Sequence, residues 1–151
     1  MQDEAKYRLE KRTGIAAVVI HERKILLLKR LPLPIVTNPG IWSFVFGGRK
    51  KGERYLDAAY REIDEETGIG KTDLKLLGKA EAELFDRRRN RRWKNHLFVF
   101  RSATSMVRKS LENSAYRWAP VSDIREREDY TNIFIGEEKI LRMIERHVNG
   151  G

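Results

Sequence analysis

The sequence predicts an α/β (α+β) fold, an α/β/α sandwich in which a mixed β-sheet lies between helices. Short β-branched and aromatic runs recur along the chain. A strongly periodic helical segment stands in the middle, and a second amphipathic helix lies near the C-terminal end.

GIAAVVI at residues 14–20 reads as one strand and ILLLK at 25–29 as the next, with His21-Glu22-Arg23-Lys24 joining them as a hairpin. Residues 31–40, LPLPIVTNPG, hold three prolines and a glycine and read as a loop. Residues 42–46 form a short strand that leads into a glycine turn at Gly47 and Gly48. A helix follows. Leu56, Ala59, Tyr60 and Ile63 recur at i, i+3, i+4 and i+7, and Gly68 stands where a left-handed cap favours glycine. The helix therefore spans residues 54–67. Residues 74–85 read as a strand kinked at Gly78, and residues 94–102 as a strand centred on HLFVF. Residues 116–118 make a short strand and 121–125 a short helix. Ile140, Leu141, Ile144 and Val148 put a core-packing helix over residues 136–148.

At 151 residues and 40% hydrophobic content, residues 1–151 suit one globular domain with short frayed termini. The absence of cysteine excludes disulfides and thiolate metal sites. His21, His96 and His147 stand apart, without the spacing of a zinc site. No apolar run reaches membrane-spanning length and no signal-peptide pattern opens the chain, so a soluble, cytoplasmic protein is expected. With 31 Lys and Arg against 22 Asp and Glu, the net charge of +9 favours polyanionic partners, nucleotides and nucleic acids alike.

The chemistry lies in residues 47–69, GGRKKGERYLDAAYREIDEETGI. The fixed positions are Gly47, then Glu53, then Arg61-Glu62-Ile63, then Glu65-Glu66, then Gly68-Ile69. On a helix turning about 100° per residue, Glu62 and Glu66 lie about 40° apart and Glu65 about 60° beyond Glu62. All three fall on a flank away from the apolar stripe. Like charges at i,i+4 destabilise a bare helix by about a few tenths of a kcal/mol, so this flank asks for a cation. Hard oxygen ligands suit Mg²⁺ or Mn²⁺ held together with substrate phosphates. A solvated acidic face would explain the acids but not the glycines and arginine at fixed intervals.

This spacing resembles the signature of the Nudix hydrolase family (MutT-like): a Gly, a Glu, then Arg-Glu-aliphatic-x-Glu-Glu-x-Gly-aliphatic. The resemblance implies the Nudix-type sandwich and hydrolysis of a diphosphate linkage in a nucleoside diphosphate joined to another group. It implies a catalytic cluster of Glu62, Glu65, Glu66, Arg61 and Glu53. Glu62 and Glu66 are then the central metal ligands or, for one of them, the general base. Glu65 and Gly47 belong to the same metal site. Glu53 stands near the metals, with Arg61 pairing a carboxylate such as Glu53. Glu112, ahead of the strand at 116–118, is a candidate further metal-site carboxylate; a solvent-facing loop acid is the alternative. The implied cofactor is Mg²⁺, with Mn²⁺ as the alternative. Val45 and Phe46 depart from the Pro-Gly that many relatives carry before the glycine.

Substrate identity is written less clearly. Residues 86–94 pack six basic side chains around Trp93 between two strands and read as a hairpin loop. Arginine forks match phosphate oxygens and tryptophan stacks on bases, so the arginine-rich loop 87–94 is a candidate RNA contact; a solvated loop and a dimer contact are the alternatives. Arg30, Arg49 and Lys50 are candidates for distal phosphates. Trp42, Phe44, Phe85 and Trp118, with Trp93, are candidates to stack on a base. A small nucleotide, either a nucleoside triphosphate or a dinucleoside polyphosphate, is the leading expectation. The absence of proline around residues 83–86 argues against ADP-ribose, and LLKR at 27–30 matches the coenzyme A pattern poorly. RNA 5′-end pyrophosphohydrolysis is the second reading. A non-catalytic Nudix-fold protein that binds nucleotide or nucleic acid is the third. Relatives often dimerise, which leaves a homodimer open; no membrane partner is expected.

Overall fold

The computed structural model describes residues 8–9, 13–30, 42–86, 91–108, 110–111, 113–126 and 138–150. Its elements are β1 (Arg8–Leu9), β2 (Gly14–His21), β3 (Lys24–Arg30), β4 (Trp42–Ser43), β5 (Val45–Gly48), α1 (Tyr55–Thr67), β6 (Leu74–Asp86), β7 (Arg91–Ser102), β8 (Asn113–Pro120), α2 (Val121–Glu126) and α3 (Glu138–Asn149), with a short 3₁₀ turn at Lys71–Asp73. The strands form one mixed eight-stranded sheet.

β2 is the spine. Ala16, Val18 and Ile20 are buried in one core, and Ile15, Ala17 and Val19 in the other. A strand covered on both faces has no need of polar alternation, which is why GIAAVVI is an unbroken apolar run. One edge of β2 pairs parallel with β7, from Gly14↔Asn95 to Ile20↔Arg101. Its other edge divides: β5 pairs antiparallel along Gly14–Ala17, and β3 along Ile20 and His21. Ala58, Ala59 and Ile63 of α1 pack on one face of the sheet. Ile124 of α2 and Ile140, Ile144 and Val148 of α3 pack on the other. The expected sandwich is therefore present. Among the described residues no helix is long and apolar enough to cross a membrane.

Several local expectations change. The strand expected at 42–46 is two strands, because the chain crosses at Phe44 from the edge of β3 (Leu28↔Ser43) to the edge of β2 (Ala17↔Val45). Gly47 and Gly48 are not a turn: they continue β5, opposite Ile15 and Gly14. The turn comes later, where Gly52 takes a left-handed φ of 81°. The basic segment expected as a loop at 86–94 is largely strand. β7 begins at Arg91 and pairs Asp86↔Arg91 and Leu84↔Trp93, because a long antiparallel ladder supplies backbone partners whatever the side-chain charge. Only 87–90 remain as the connection, and these, like 31–40 and Glu112, lie outside the described residues. The kink expected at Gly78 is a shift of register between Leu76 and Gly78.

The β2–β3 hairpin turns on two residues, Glu22 and Arg23, with φ of 48° and 66°. Both are left-handed, which suits the twist of a two-residue hairpin but disfavours residues with a Cβ. Replacing Glu22-Arg23 by Asn-Gly is expected to stabilise the protein by about 1–2 kcal/mol. Denaturant unfolding with an unchanged slope checks this, and an equal or lower midpoint would refute it.

Candidate active site

The site is built where the end of β5 meets α1. Gly47 faces α1, and the Glu62 side chain occupies the space that a Cβ at 47 would take: an added Cβ would fall on its carboxylate, 2.5 Å from Oε1. Glycine is required here for close approach rather than for a turn. Gly68 closes α1 in the left-handed conformation, φ 77°, with its N–H donating to the Asp64 carbonyl at 2.8 Å, as the sequence suggests.

Arg61 gathers the acids. Its Nε and Nη2 donate to the two oxygens of Glu53, each at 2.9 Å. Nη1 donates to Glu62 Oε1 at 2.9 Å and to Glu65 Oε2 at 3.3 Å. Nη2 also donates to the Gly48 carbonyl at 2.7 Å, which ties α1 to the end of β5. Lys50 N–H donates to Glu53 Oε1 at 3.0 Å.

These contacts set the acidities. The Arg61 hydrogen bond, with help from the Lys50 N–H, holds the Glu53 carboxyl down at about 2, from an ordinary 4.5. Glu62 goes the other way. Burial pushes its carboxyl up, against the pull of Arg61 and a hydrogen bond with Glu66, and the charge on Glu65 adds to the rise. Hydrogen bonds to Glu53 and then to Glu62 raise Arg61 further above its already high value, against its partial burial.

Glu66 departs from the sequence expectation. It lies not on a flank away from the apolar stripe but in the buried face of α1, 4% exposed, continuing the stripe Ala59, Ile63, Glu66. Glu65 stays on the open side, its side chain 53% exposed. Among the described residues no three His, Asp or Glu side chains close around a single point, because Arg61 holds Glu53, Glu62 and Glu65. The chemistry of the set still fits a hard divalent cation. Glu62 and Glu66 are adjacent, shielded from water and share a hydrogen bond that only one proton can make, where a cation would satisfy both.

The other sequence candidates are dispersed. Arg49 is exposed in the box loop, 4.6 Å from the Tyr55 ring centroid. Trp42 is half-buried on the opposite face of the sheet, with Lys29 Nζ 5.9 Å from its ring. Phe44 is 1% exposed, a core residue rather than a base platform. Trp118 packs in the α1-side core, and its indole N–H donates to the Ser105 carbonyl at 3.0 Å. Arg30 ends β3 and Trp93 stands in β7, and their side chains, like that of Phe85, lie outside the described part of the chain. The sequence reading missed the stacking of Tyr55 on His96, ring centroids 3.8 Å apart. It also missed Gly14, where a Cβ would meet Asn95 Oδ1 at 2.7 Å and the Gly47 carbonyl at 2.8 Å. Both are contacts between distant segments and leave no local signal.

An arginine-tied cluster of acids on a helix, set under a glycine at the end of a strand in a mixed-sheet sandwich, defines the class of site. The family model of the NUDIX domain matches residues 10–137, and the chain belongs to the Nudix family. Members of this family generally use a divalent metal ion. An RNA pyrophosphohydrolase from Pelagibacter ubique is 39% identical over 70 residues, 46% of this chain and 42% of the relative. A protein of the same name from Thioalkalivibrio sulfidiphilus is 38% identical over 59 residues, 39% of this chain and 31% of that one. The matches thus span less than half the length of these curated relatives. The crystal structure of a C. elegans Ap4A hydrolase binary complex has a TM-score of 0.73 at 20% identity, covering 93% of this chain and 99% of that one. The MutT protein from Methanosarcina mazei Go1 has a TM-score of 0.70 at 23% identity, covering 94% and 96%. At these identities the structural likeness concerns the fold.

The Arg61–Glu53 pair is directly measurable. The folded-state value of Glu53 lies below its ordinary value, so its stabilising contribution is whole above pH 4.5 and drains away as pH falls toward 2. Carbon-detected titration of Glu53 is expected to show a midpoint near 2 in the native protein. In Arg61→Ala the midpoint should move up toward 4.5; an unmoved midpoint would show that Arg61 is not its cause.

Proposed function

We propose that this protein is a divalent-metal-dependent pyrophosphohydrolase of small nucleotides. It would cleave a diphosphate linkage in a nucleoside diphosphate joined to another group, such as a nucleoside triphosphate or a dinucleoside polyphosphate. The observation that carries this is the Glu62–Glu66 pair, Glu62 half-buried against Gly47 and Glu66 buried, in a chain of the Nudix family. In this reading Glu62 and Glu66 hold Mg²⁺, with Mn²⁺ as the alternative, and Glu65 and the Gly47 backbone stand beside them. Glu112 is a further ligand candidate. When bound, the metal neutralises phosphate charge and acidifies a water.

The chain's own residues supply the rest. Arg61 fixes the rotamers of Glu53 and Glu62 through its charged hydrogen bonds. Without the cation, burial raises the pKa of the Glu62 carboxyl, and a bound divalent cation would favour the ionised form that holds it. Arg49, exposed in the loop between β5 and α1, is a candidate for a distal phosphate, with Arg30 and Trp93 as further candidate contacts; Trp42, on the opposite face of the sheet, is not among them. Residues 1–151 act as one domain, working in the cytoplasm, where such nucleotides are abundant.

With Mg²⁺ and a panel of nucleoside triphosphates, dinucleoside polyphosphates, nucleotide sugars and ADP-ribose, at least one member is expected to turn over. Chelation should abolish the turnover, and Glu62→Gln or Glu66→Gln should lower it by about 10² or more. Full activity in both variants would sink the site assignment. Micromolar binding without any turnover would favour a binding-only protein.

One observation favours a second reading, hydrolysis at the 5′ end of RNA: the curated relatives from Pelagibacter and Thioalkalivibrio carry the name RNA pyrophosphohydrolase. The +9 charge and the basic run at 87–94 agree with it. Affinity for 5′-triphosphorylated RNA should then fall steeply with salt. Neutralising the arginines of 87–92 should flatten that dependence by about 0.7 for each phosphate they no longer neutralise. A salt dependence identical in the neutralised variant would count against any role for this run.

A further inference from the structure

A pocket of about 520 Å³ lies beside the box, on the α1 face of the sheet, and takes no part in the carboxylate cluster. It is lined by His96 and Phe98 of β7 and by Tyr55 and Leu56 in the first turn of α1. The register shift at Leu76–Gly78 forms its outer edge. The lining is largely apolar and includes one lysine, Lys79. Lys79 is exposed at the pocket, and Arg49, Lys50 and Lys51 are exposed in the adjoining box loop. Two rings are already stacked there, Tyr55 on His96 at 3.8 Å and 27°, and the Arg49 guanidinium lies over Tyr55 at 4.6 Å.

We propose that this pocket binds the nucleoside on the far side of the scissile diphosphate, its base against the Tyr55–His96–Phe98 surface and its phosphate on Arg49 and Lys79. The proposal rests on the pyrophosphohydrolase reading above. An apolar slot lined by aromatic rings matches a base, and Lys79 with Arg49 matches the phosphate joined to it. Position agrees as well. Tyr55 and Glu62 are seven residues apart on α1, which puts them on one stripe of the helix and about 10 Å apart along it. A nucleotide whose phosphates lie at Glu62 therefore has the reach to place its second base in the pocket. Arg49, exposed and over the Tyr55 ring, stands on this side of the site.

The first test needs no turnover. Adenosine 5′-monophosphate is titrated into the intact chain without added metal, following the His96 imidazole and Leu76 methyl signals by NMR. Saturable shifts at both are expected, with affinity about tenfold weaker in Tyr55→Leu and in Lys79→Glu. The second variant changes an exposed rim residue and guards against a folding defect in the first. Absent shifts, or affinity unchanged in both variants, overturn the pocket whether or not the protein is an enzyme. The second test compares KM for diadenosine tetraphosphate with KM for ATP in the presence of Mg²⁺. The ratio should rise about tenfold in either variant. An equal change for both substrates overturns the distal-nucleoside assignment and leaves the hydrolase reading standing. Failure to hydrolyse either substrate counts against these substrates, and the titration then decides the pocket alone.

Discussion

The constraint on which the site depends is the guanidinium of Arg61. It offers five N–H groups in a fixed fork, and each meets an acceptor: two on Glu53, one on Glu62, one on Glu65 and one on the Gly48 carbonyl. The last bond crosses from helix to strand and holds α1 at the height where Glu62 meets Gly47. A lysine could reach one or two of these groups as a point charge. It could not orient two carboxylates and a carbonyl in one plane. The position of the helix and the rotamers of its acids are therefore one problem with one solution.

The solution is electrostatically incomplete, and this bears on function. One guanidinium binds three carboxylates, and it makes two bonds to Glu53, which it leaves strongly acidic. Glu66 is buried, and burial outweighs Arg61 at Glu62. A site shaped only for stability would not set two acids side by side out of water, since each charge there costs desolvation that its neighbour worsens. The fold tolerates this because Ala58, Ala59 and Ile63 secure α1 against the sheet next to the acids. The strain is thus local to the place where a cation would relieve it.

Much of this was legible in the residues. Elements with strong period or unbroken β-branched runs, β2, β3, α1 and α3, fall close to their sequence bounds, because burial on a defined face fixes both pattern and structure. The left-handed cap at Gly68 was readable because only the cap explains a glycine there. What misled was charge. The arginines ahead of Lys94 looked like a loop, yet β7 starts at Arg91 on the strength of ladder pairing. Glu66 read as lying off the apolar stripe, yet it prolongs the stripe of Ala59 and Ile63 into the core. In both, polarity suggested exposure while a periodic backbone constraint decided the outcome. The Tyr55–His96 stack is different: it joins α1 to β7 and depends on how the sheet is assembled, which no local pattern records.

The same alternation clarifies the departure at residues 45 and 46. β5 is extended, so consecutive side chains point to opposite faces. Gly47 faces α1 and the acids, and Phe46 therefore faces away, packing with Trp42 against the core on the far side. An aromatic ring at 46 does not crowd Glu62 and does not break the strand, since Phe46 pairs in register with Ala16. Its effect falls on the opposite surface of the sheet. The carboxylate cluster is insulated from the change at 46 by a single residue of strand, which is how a fixed reaction centre tolerates variation immediately beside it.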